Sequence, residues 1–404
     1  MASTYLTPQI ITRKALAVLH NKLTFIKTIN RQYDAQFAKA GGKIGSTLKI
    51  RMPNQFTVRT GMVMAAQDIT EESKDLVVAT VKGIDMNFGS QDLTLTIDDF
   101  STRYIEPAMA RLAGGIESDV LANVYKDVFW LTGTPATTPA SLLAVLNAGA
   151  RLSQSLAPVP DRHLLFDSIS MAPTVNSIGT YFHKSSELER AFMEAYIGMA
   201  AGFKWWESNM VPNHTNGSRD DTTPVCNTST GITSGSSSII TTGADGTMKA
   251  GDIFTIADVF AVNEETKQRY SHLQQFAMLT DFTNDGTDTW TVTPTPVTSG
   301  ARQNVELVSA GAGKAIVNVA AGGSGGANSV IPQPLAYHRD AFTFVTADLE
   351  NPKGTDIAAR EVYDGISISY VRDFDIVNRD FPCRLDVLYG FKTLRPQWAV
   401  RVRG

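Results

Sequence analysis

Two long stretches of the chain place apolar residues at helical spacing, and many short ones alternate apolar with polar. Over residues 7–29, Ile11, Ala15, Val18, Lys22 and Phe25 follow helical spacing, with Thr7 placed to cap and Pro8 in a tolerated first-turn position. From Glu106 to Trp130 a single stripe, Met109, Leu112, Ile116, Val120, Val124 and Val128, predicts a helix roughly 36 Å long. Gly114 and Gly115 in its middle each cost on the order of 1 kcal/mol relative to alanine. They suggest a bend or a close backbone approach, with drift as the plain alternative. Residues 140–157 read as a further helix, Leu164–Phe166 as a buried strand, and 185–209 as a helix followed by a strand.

Alternation at period two begins at Thr47, placing Leu48, Ile50 and Met52 on one face of a strand that Pro53 limits. A polar, turn-rich excursion over residues 54–73 follows, and the alternating run Leu76–Lys82 returns from it. The pair predicts an extended hairpin, and loops of this length in compact domains are usually functional. A strand is also predicted at Asp92–Ile97. From about Pro212 to Ser329, threonine, serine and glycine dominate and helical periods vanish. Short strands recur there at Ser238–Thr242, Ile253–Ile256, Val259–Val262, Gln275–Thr280 and Trp290–Thr293. This predicts a small antiparallel barrel or sandwich, closed by the glycine-rich stretch AAGGSGGANS. Beyond it, strands around Phe342–Val345, Ile366–Tyr370 and Leu385–Tyr389 return to the character of the first two hundred residues. The fold class is α+β, with a β-rich domain inserted into the host.

Composition narrows the function classes. The 404 residues are 43% hydrophobic and 19% charged, with a net charge of −4, an ordinary globular balance with material for two or three cores. No apolar run approaches the ~18 residues of a membrane span, and the N-terminal stretch lacks the features of a secretion signal. Cys226 and Cys383 are too few for a disulfide framework. A sequence reader of nucleic acid would show a basic face. The nearest approach is Arg395, Arg401 and Arg403, which read as a solvated C-terminal face.

Candidate chemistry fails on order and spacing. The stretch FAKAGGKIGSTLKIR has the ingredients of a phosphate loop, but Ile44 follows Lys43, and a helix precedes it where a strand belongs. SAGAGKAIVN fails likewise, with Ala315 after Lys314 and Val308 in the first glycine's place. His20, His163, His183, His214, His272 and His338 show no metal-ligand spacing, and neither cysteine has a partner nearby. No G-x-S-x-G elbow occurs. The adjacent acids Asp98–Asp99, Glu71–Glu72, Asp220–Asp221 and Glu264–Glu265 point different ways and make poor acid/base pairs. Trp205 and Trp206 would face opposite sides of a strand. The expectation is no catalytic residue, no cofactor and no metal.

What stands out is shape, and five segments in order carry a resemblance. They are GGKIGSTLKIRMP, IDDFSTRYIEPAMARLAGGIESDVL, MKAGDIFTIADVFAVNEETKQ, LAYHRDAFTFVTADL and CRLDVLYGFKTLRPQWAVRV. Together they resemble the major capsid (coat) proteins of tailed bacteriophages, in the branch with an inserted β-barrel typified by Salmonella short-tailed phages. The resemblance implies a capsid fold of the Hong Kong 97 type. Its parts would be an N-terminal arm at 1–45, an extended loop at 46–80 and a peripheral domain with a spine helix at 81–131. An axial domain at 132–211, the inserted barrel at 212–330 and an axial and peripheral return at 331–404 would complete it. It also implies a homo-oligomer of hexamers and pentamers, a separate scaffolding protein, a portal protein at one vertex, and packaged double-stranded DNA held without specific contacts. It further implies no membrane partner and a place in the virion, with assembly in the host cytoplasm. Some relatives crosslink through a loop lysine, but no lysine lies between Met52 and Lys74. The hairpin charges Lys49, Arg51, Arg59, Asp68, Glu71, Glu72, Lys74 and Asp75 are candidates for contacts between subunits. The competing readings are a carbohydrate-active enzyme with a β-barrel module and a phage tail or adhesin protein.

Overall fold

A computed structural model describes residues 8–31, 46–64, 66–67, 71–89, 101–134, 137–179, 198–218, 225–226, 232–243, 246–283, 287–308, 313–319, 328–349, 354, 357–363, 365–377 and 380–404. Thr7, the glycines of the phosphate-loop-like stretch, the predicted strand Asp92–Ile97 and the helical part of 185–209 lie outside these. The helices are α1 (Pro8–Lys22), α2 (Phe25–Thr28), α3 (Glu106–Val124), α4 (Leu142–Gln154) and α5 (Ser168–Gly179). The first strands are β1 (Ser46–Arg51), β2 (Ser73–Val78), β3 (Thr80–Gly89), β4 (Trp130–Thr132), β5 (Arg162–Phe166), β6 (Met199–Ala200), β7 (Phe203–Glu207) and β8 (Asn213–Thr215). Then come β9 (Val225–Cys226), β10 (Ser238–Thr242), β11 (Thr247–Met248), β12 (Ile253–Val262), β13 (Arg269–Met278), β14 (Phe282–Thr283), β15 (Thr287–Thr293), β16 (Val305–Leu307) and β17 (Ile316–Asn318). The last are β18 (Val330–Pro332), β19 (Leu335–His338), β20 (Phe342–Ala347), β21 (Ile357–Tyr363), β22 (Ile366–Arg372), β23 (Asp380–Thr393) and β24 (Ala399–Val402).

Contacts divide the chain into two units. Met1–Arg51, Ser73–Val120 and Phe342–Lys392 form the first; Met52–Glu72, Leu121–Ala341 and Thr393–Gly404 form the second. In the first unit, β20, β23, β22 and β21 make a sheet joined by β3, which pairs with β23 from Gly89↔Asp380 to Thr80↔Tyr389. The run read as one strand over Leu76–Lys82 therefore changes partner at Ala79: β2 pairs with β1, and β3 leaves for β23. Gly390 permits the approach of β23 to β2, because a Cβ there would stand 2.4 Å from the Val77 carbonyl oxygen. Gly390→Ala is expected to lower stability by about 1–3 kcal/mol, read as a drop in the urea midpoint.

Helix α1 lies on β21 and β22, but its buried face is turned from the predicted one. Ile11, Ala15, Leu16, Leu19 and Leu23 are buried, while Val18 is half-buried and Lys22 exposed. The stripe follows i, i+4, i+8, and lysine has no reason to join it. The chain breaks at Leu23–Thr24 before α2, so the predicted single helix is two. The N-terminus of α2 has no side-chain cap of its own. Glu117 of α3 supplies one, accepting the backbone N–H groups of Thr24 and Phe25. In α3, every stripe residue from Met109 to Val124 is buried, as is Val128 just beyond it. Nothing stands within 4 Å of a Cβ built on Gly115, so no close backbone approach requires that glycine.

The second unit joins two layers. Its host sheet runs β4-β24-β19-β5-β7-β6, parallel at β24–β4 and β5–β7. Trp205 is buried edge-on to Phe166, while the indole of Trp206 donates to His163 Nδ1 at 3.0 Å, so the two tryptophans share no platform. The threonine-rich segment forms a circuit in which β9, β10, β15, β13 and β12 pair in turn and β12 takes both β16 and β17. Val225 bridges to Ala315 beside β17, with Cys226 N donating to Lys314 O at 2.9 Å, and the circuit closes into a barrel. Phe254, Ile256, Phe276, Met278, Trp290 and Val292 fill it. The two strands predicted at 253–262 are one, β12, bulged at Asp258 where φ is 65°.

Four consecutive residues of β12, Ile253 to Ile256, are buried because both faces are covered. Phe254 and Ile256 face the barrel core, whereas Ile253, with Ala261 and Ala277, joins Trp130, Leu131, Val145, Leu152, Phe166 and Val400 in the host core. The Gln275 carboxamide completes the joint like a short strand, accepting from Leu131 N at 2.7 Å and donating to Leu131 O at 3.2 Å.

Candidate assembly surface

β1 and β2 pair antiparallel in register from Ser46↔Val78 to Arg51↔Ser73, and Met52 N extends the ladder to Glu72 O at 2.8 Å. Ile50, Leu76 and Val78 are buried, which makes the inner face of this hairpin part of the first unit. On the other face Lys49 stands directly opposite Asp75, an opposite-charge cross-strand pair.

Beyond Met52 the loop narrows at a clamp. The Gln67 carboxamide accepts from Thr57 N at 2.8 Å and donates to Thr57 O at 2.6 Å. At the tip, Arg59 donates to the Gly61 carbonyl, and Gly61 adopts φ 98°, a conformation glycine takes without a Cβ penalty. Of the eight charged candidates, Lys49, Arg51, Arg59, Glu71, Glu72 and Asp75 are exposed and Lys74 is half-buried. Asp68 lies outside the described residues. The pairing of β1 with β2 brings Lys49, Arg51, Lys74 and Asp75 onto neighbouring strands. Glu72 is ion-paired with Arg302 of the barrel, and Gln55 Nε2 donates to Glu264 Oε2 of the barrel at 3.4 Å.

The loop's apolar side chains are its more distinctive feature. Phe56, Val58, Met62, Val63 and Met64 are all exposed, Val58 at 96% and Met62 at 99%. A lone exposed apolar residue is ordinary, but five on one excursion expose surface that water disfavours. In the sequence this row shows as the run MVM inside an otherwise polar stretch, a feature that reading the charges alone passes over.

Elsewhere, one array of chemistry-bearing residues is sealed. Tyr125 Oη lies 2.9 Å from His214 Nδ1, and His214 Nε2 lies 2.7 Å from Asp252 Oδ1, an array with the composition of a proton relay. Asp252 also accepts from Gly217 N and Lys249 N. His214 and Asp252 are buried, so the array ties segments together without facing a substrate. Among the described residues no group of three His, Cys, Asp or Glu side chains is placed to hold a metal ion. Lys314, of the second phosphate-loop-like stretch, is ion-paired with Asp258 at 2.6 Å.

The C-terminal arginines correct the reading of a solvated face. Arg401 and Arg403 are 1% and 2% exposed. Arg401 donates to Gly251 O at 2.6 Å and to Lys126 O, and its guanidinium lies 5.2 Å from the centre of the Tyr125 ring. Arg403 donates to Pro332 O. Burial pulls their pKa values down to about 10 and about 9.

The model of the family described as P22 coat protein, gene protein 5, matches residues 1–404. No curated protein matches the chain. Among solved structures, the chain is similar to one from Mycobacterium phage Che8, at 13% identity over 94% of this chain and 90% of that one, with a TM-score of 0.46. The capsid of Ralstonia phage GP4 is similar at 6% identity, covering 93% and 88% of the two chains with a TM-score of 0.44. The capsid of Cyanophage P-SCSP1u is similar at 11% identity, covering 90% and 84%, with a TM-score of 0.43.

Proposed function

Because the chain belongs to the P22 coat protein family, and so is a major capsid protein of a tailed phage, we propose that the loop Met52–Glu72 is where one copy grips the next. The observation that supports this is the exposed row Phe56, Val58, Met62, Val63 and Met64. In a shell built from repeated copies such a row is covered by a neighbour, and burial then stabilises by roughly 25 cal/mol per Å² of apolar area. The charged candidates Lys49, Arg51, Arg59, Asp68, Glu71, Glu72, Lys74 and Asp75 then set register and partner choice more than affinity.

On this reading 1–45 is an arm, 46–80 the extended loop, 81–131 a peripheral domain, and 132–211 with 331–404 the axial domain and its return, interrupted by the barrel at 212–330. A scaffolding protein directs closure of an icosahedral lattice of hexamers and pentamers in the host cytoplasm, and a portal protein occupies one vertex. Double-stranded DNA fills the shell without a dedicated site. The protein acts by assembly and carries no catalytic activity.

The test is a double variant, Met62→Asp with Met64→Asp, produced with the phage's scaffolding protein. The parent is expected to yield closed shells by sedimentation and negative-stain microscopy. The variant is expected to remain as dispersed subunits with an unchanged urea midpoint. Closed shells from the variant would sink the assignment.

A further inference from the structure

We propose that the joint between the inserted barrel and its host is acid-sensitive, with His272 as the gate and Arg151 as the group it releases. Arg151 sits in the last turn of α4 and His272 on β13 of the barrel. Arg151 Nη1 contacts His272 Nε2, donates to Gln154 Oε1 at 3.3 Å, and its guanidinium lies 4.5 Å over the Trp130 ring of β4. Tyr270, two residues from His272 on β13, stacks on the imidazole at 5.2 Å and donates its hydroxyl to Gln154 O at 3.1 Å. Trp130 meets the imidazole edge-on at 5.9 Å. Two residues of the barrel thus close on one turn of the host helix.

The chemistry of the contact has one direction. A guanidinium carries only donors and stays charged, so His272 Nε2 must offer a lone pair, and the ring must be neutral with its proton on Nδ1. Protonating the ring removes that acceptor and sets two cations against each other in a half-buried site. The charged and titratable groups facing the imidazole are Arg151 from α4 and Tyr270 from its own strand, while β4 brings the Trp130 ring. Burial and the Arg151 charge push His272 down to about 4, and burial pulls Arg151 to about 10, so both hold their joint-forming states at neutral pH.

His214, at another barrel–host contact, behaves differently. One ring nitrogen faces Asp252 and the other the Tyr125 hydroxyl, which can turn from donor to acceptor. That contact keeps its hydrogen bonds when the ring gains a proton. Burial lowers the pKa of His214 as well, but of these two contacts only that of His272 loses its hydrogen bond when the ring is protonated. The folded pKa of His272 lies below the ordinary value, so stability at the joint is complete above about 6.5 and is lost as pH falls from there toward about 4.

The experiment follows backbone hydrogen exchange in unassembled, full-length subunits at pH 7 and pH 5, corrected for the intrinsic pH dependence of amide exchange. Peptides covering 142–154 and 269–278 report the joint. Parent protection is expected to fall about tenfold at pH 5. In His272→Gln, whose carboxamide oxygen accepts from Arg151 at either pH, the fall should shrink below about twofold. Arg151→Met removes the opposing charge and should flatten the response as well, which keeps the test open if the first variant folds poorly. His163→Gln, whose ring is likewise pushed down to about 4 but meets Trp206 and Tyr337 instead of Arg151, should retain the full fall. Undiminished falls in His272→Gln and Arg151→Met, or a flattened one in His163→Gln, would overturn the assignment.

Discussion

Replacing Glu117 by alanine is expected to destabilise the first unit by about 3–5 kcal/mol, although the residue belongs to no catalytic or binding site. Its carboxylate, 3% exposed, is the cap that α2 lacks, and it accepts the N–H groups of Thr24 and Phe25 from 92 and more positions away. Each hydrogen bond to a charged group contributes roughly 1.5–3 kcal/mol, and both donors would be left without a partner. The break at Leu23–Thr24 would lose its tether, freeing Phe25, Ile26 and Ile29 from the core. Glu117→Gln keeps one acceptor oxygen and should recover more than half of the loss. Burial raises the pKa of Glu117 against the lowering effect of its amide donors. A raised carboxylate favours folding below its folded pKa, so acid should not remove stability through this group. Urea unfolding of unassembled subunits, with exchange rates of the Thr24 and Phe25 amides, gives the measurement. An alanine variant within 1 kcal/mol of the parent would show that α2 holds without its remote cap.

Arg401→Ala should cost the second unit a similar amount, about 3–5 kcal/mol. The side chain is fully enclosed, and two carbonyl oxygens, of Gly251 and Lys126, take its protons. Truncation leaves both acceptors buried, opens a cavity and uncovers the Tyr125 ring. Arg401→Met separates shape from charge: it fills the space and removes a desolvated cation, so it should lose about half as much. Arg401→Lys keeps the charge but not the planar fork, and should fall between the two. Tryptophan fluorescence during urea unfolding reports the order. An alanine variant no worse than the methionine variant would mean that packing contributes little here.

The difference between these residues and the helical stripe of α3 explains how much is legible in the sequence. Met109 to Val128 form a local periodic signal, and all six are buried as predicted. The hairpin is legible in the same way, because Leu48, Ile50 and Met52 alternate and the returning strand repeats the pattern. The β-rich segment announces itself by composition. In α1 the predicted period is right but the phase is not, since two leucines outcompete a lysine for the buried face. In the loop Met52–Glu72 the exposed apolar side chains are as distinctive as the charges the sequence draws attention to.

The chain's own pattern thus determined which stripe of α3 is apolar, the alternation that starts β1, and that short strands dominate the threonine- and serine-rich segment of an α+β chain. All of these depend on neighbours a few residues apart. Tertiary structure alone decided the fate of the polar groups. Along β24 and the residue after it, arginines at 401 and 403 alternate with valines at 400 and 402, the pattern of a half-exposed strand. Yet Val400 and Val402 join the host core, while carbonyls of Lys126, Gly251 and Pro332 take the arginines on the other side. Glu117 caps a helix 92 residues away, and His272 meets Arg151 across 121. A polar side chain is buried only where distant segments satisfy its hydrogen bonds. Those partners come from folding, and no local period encodes them.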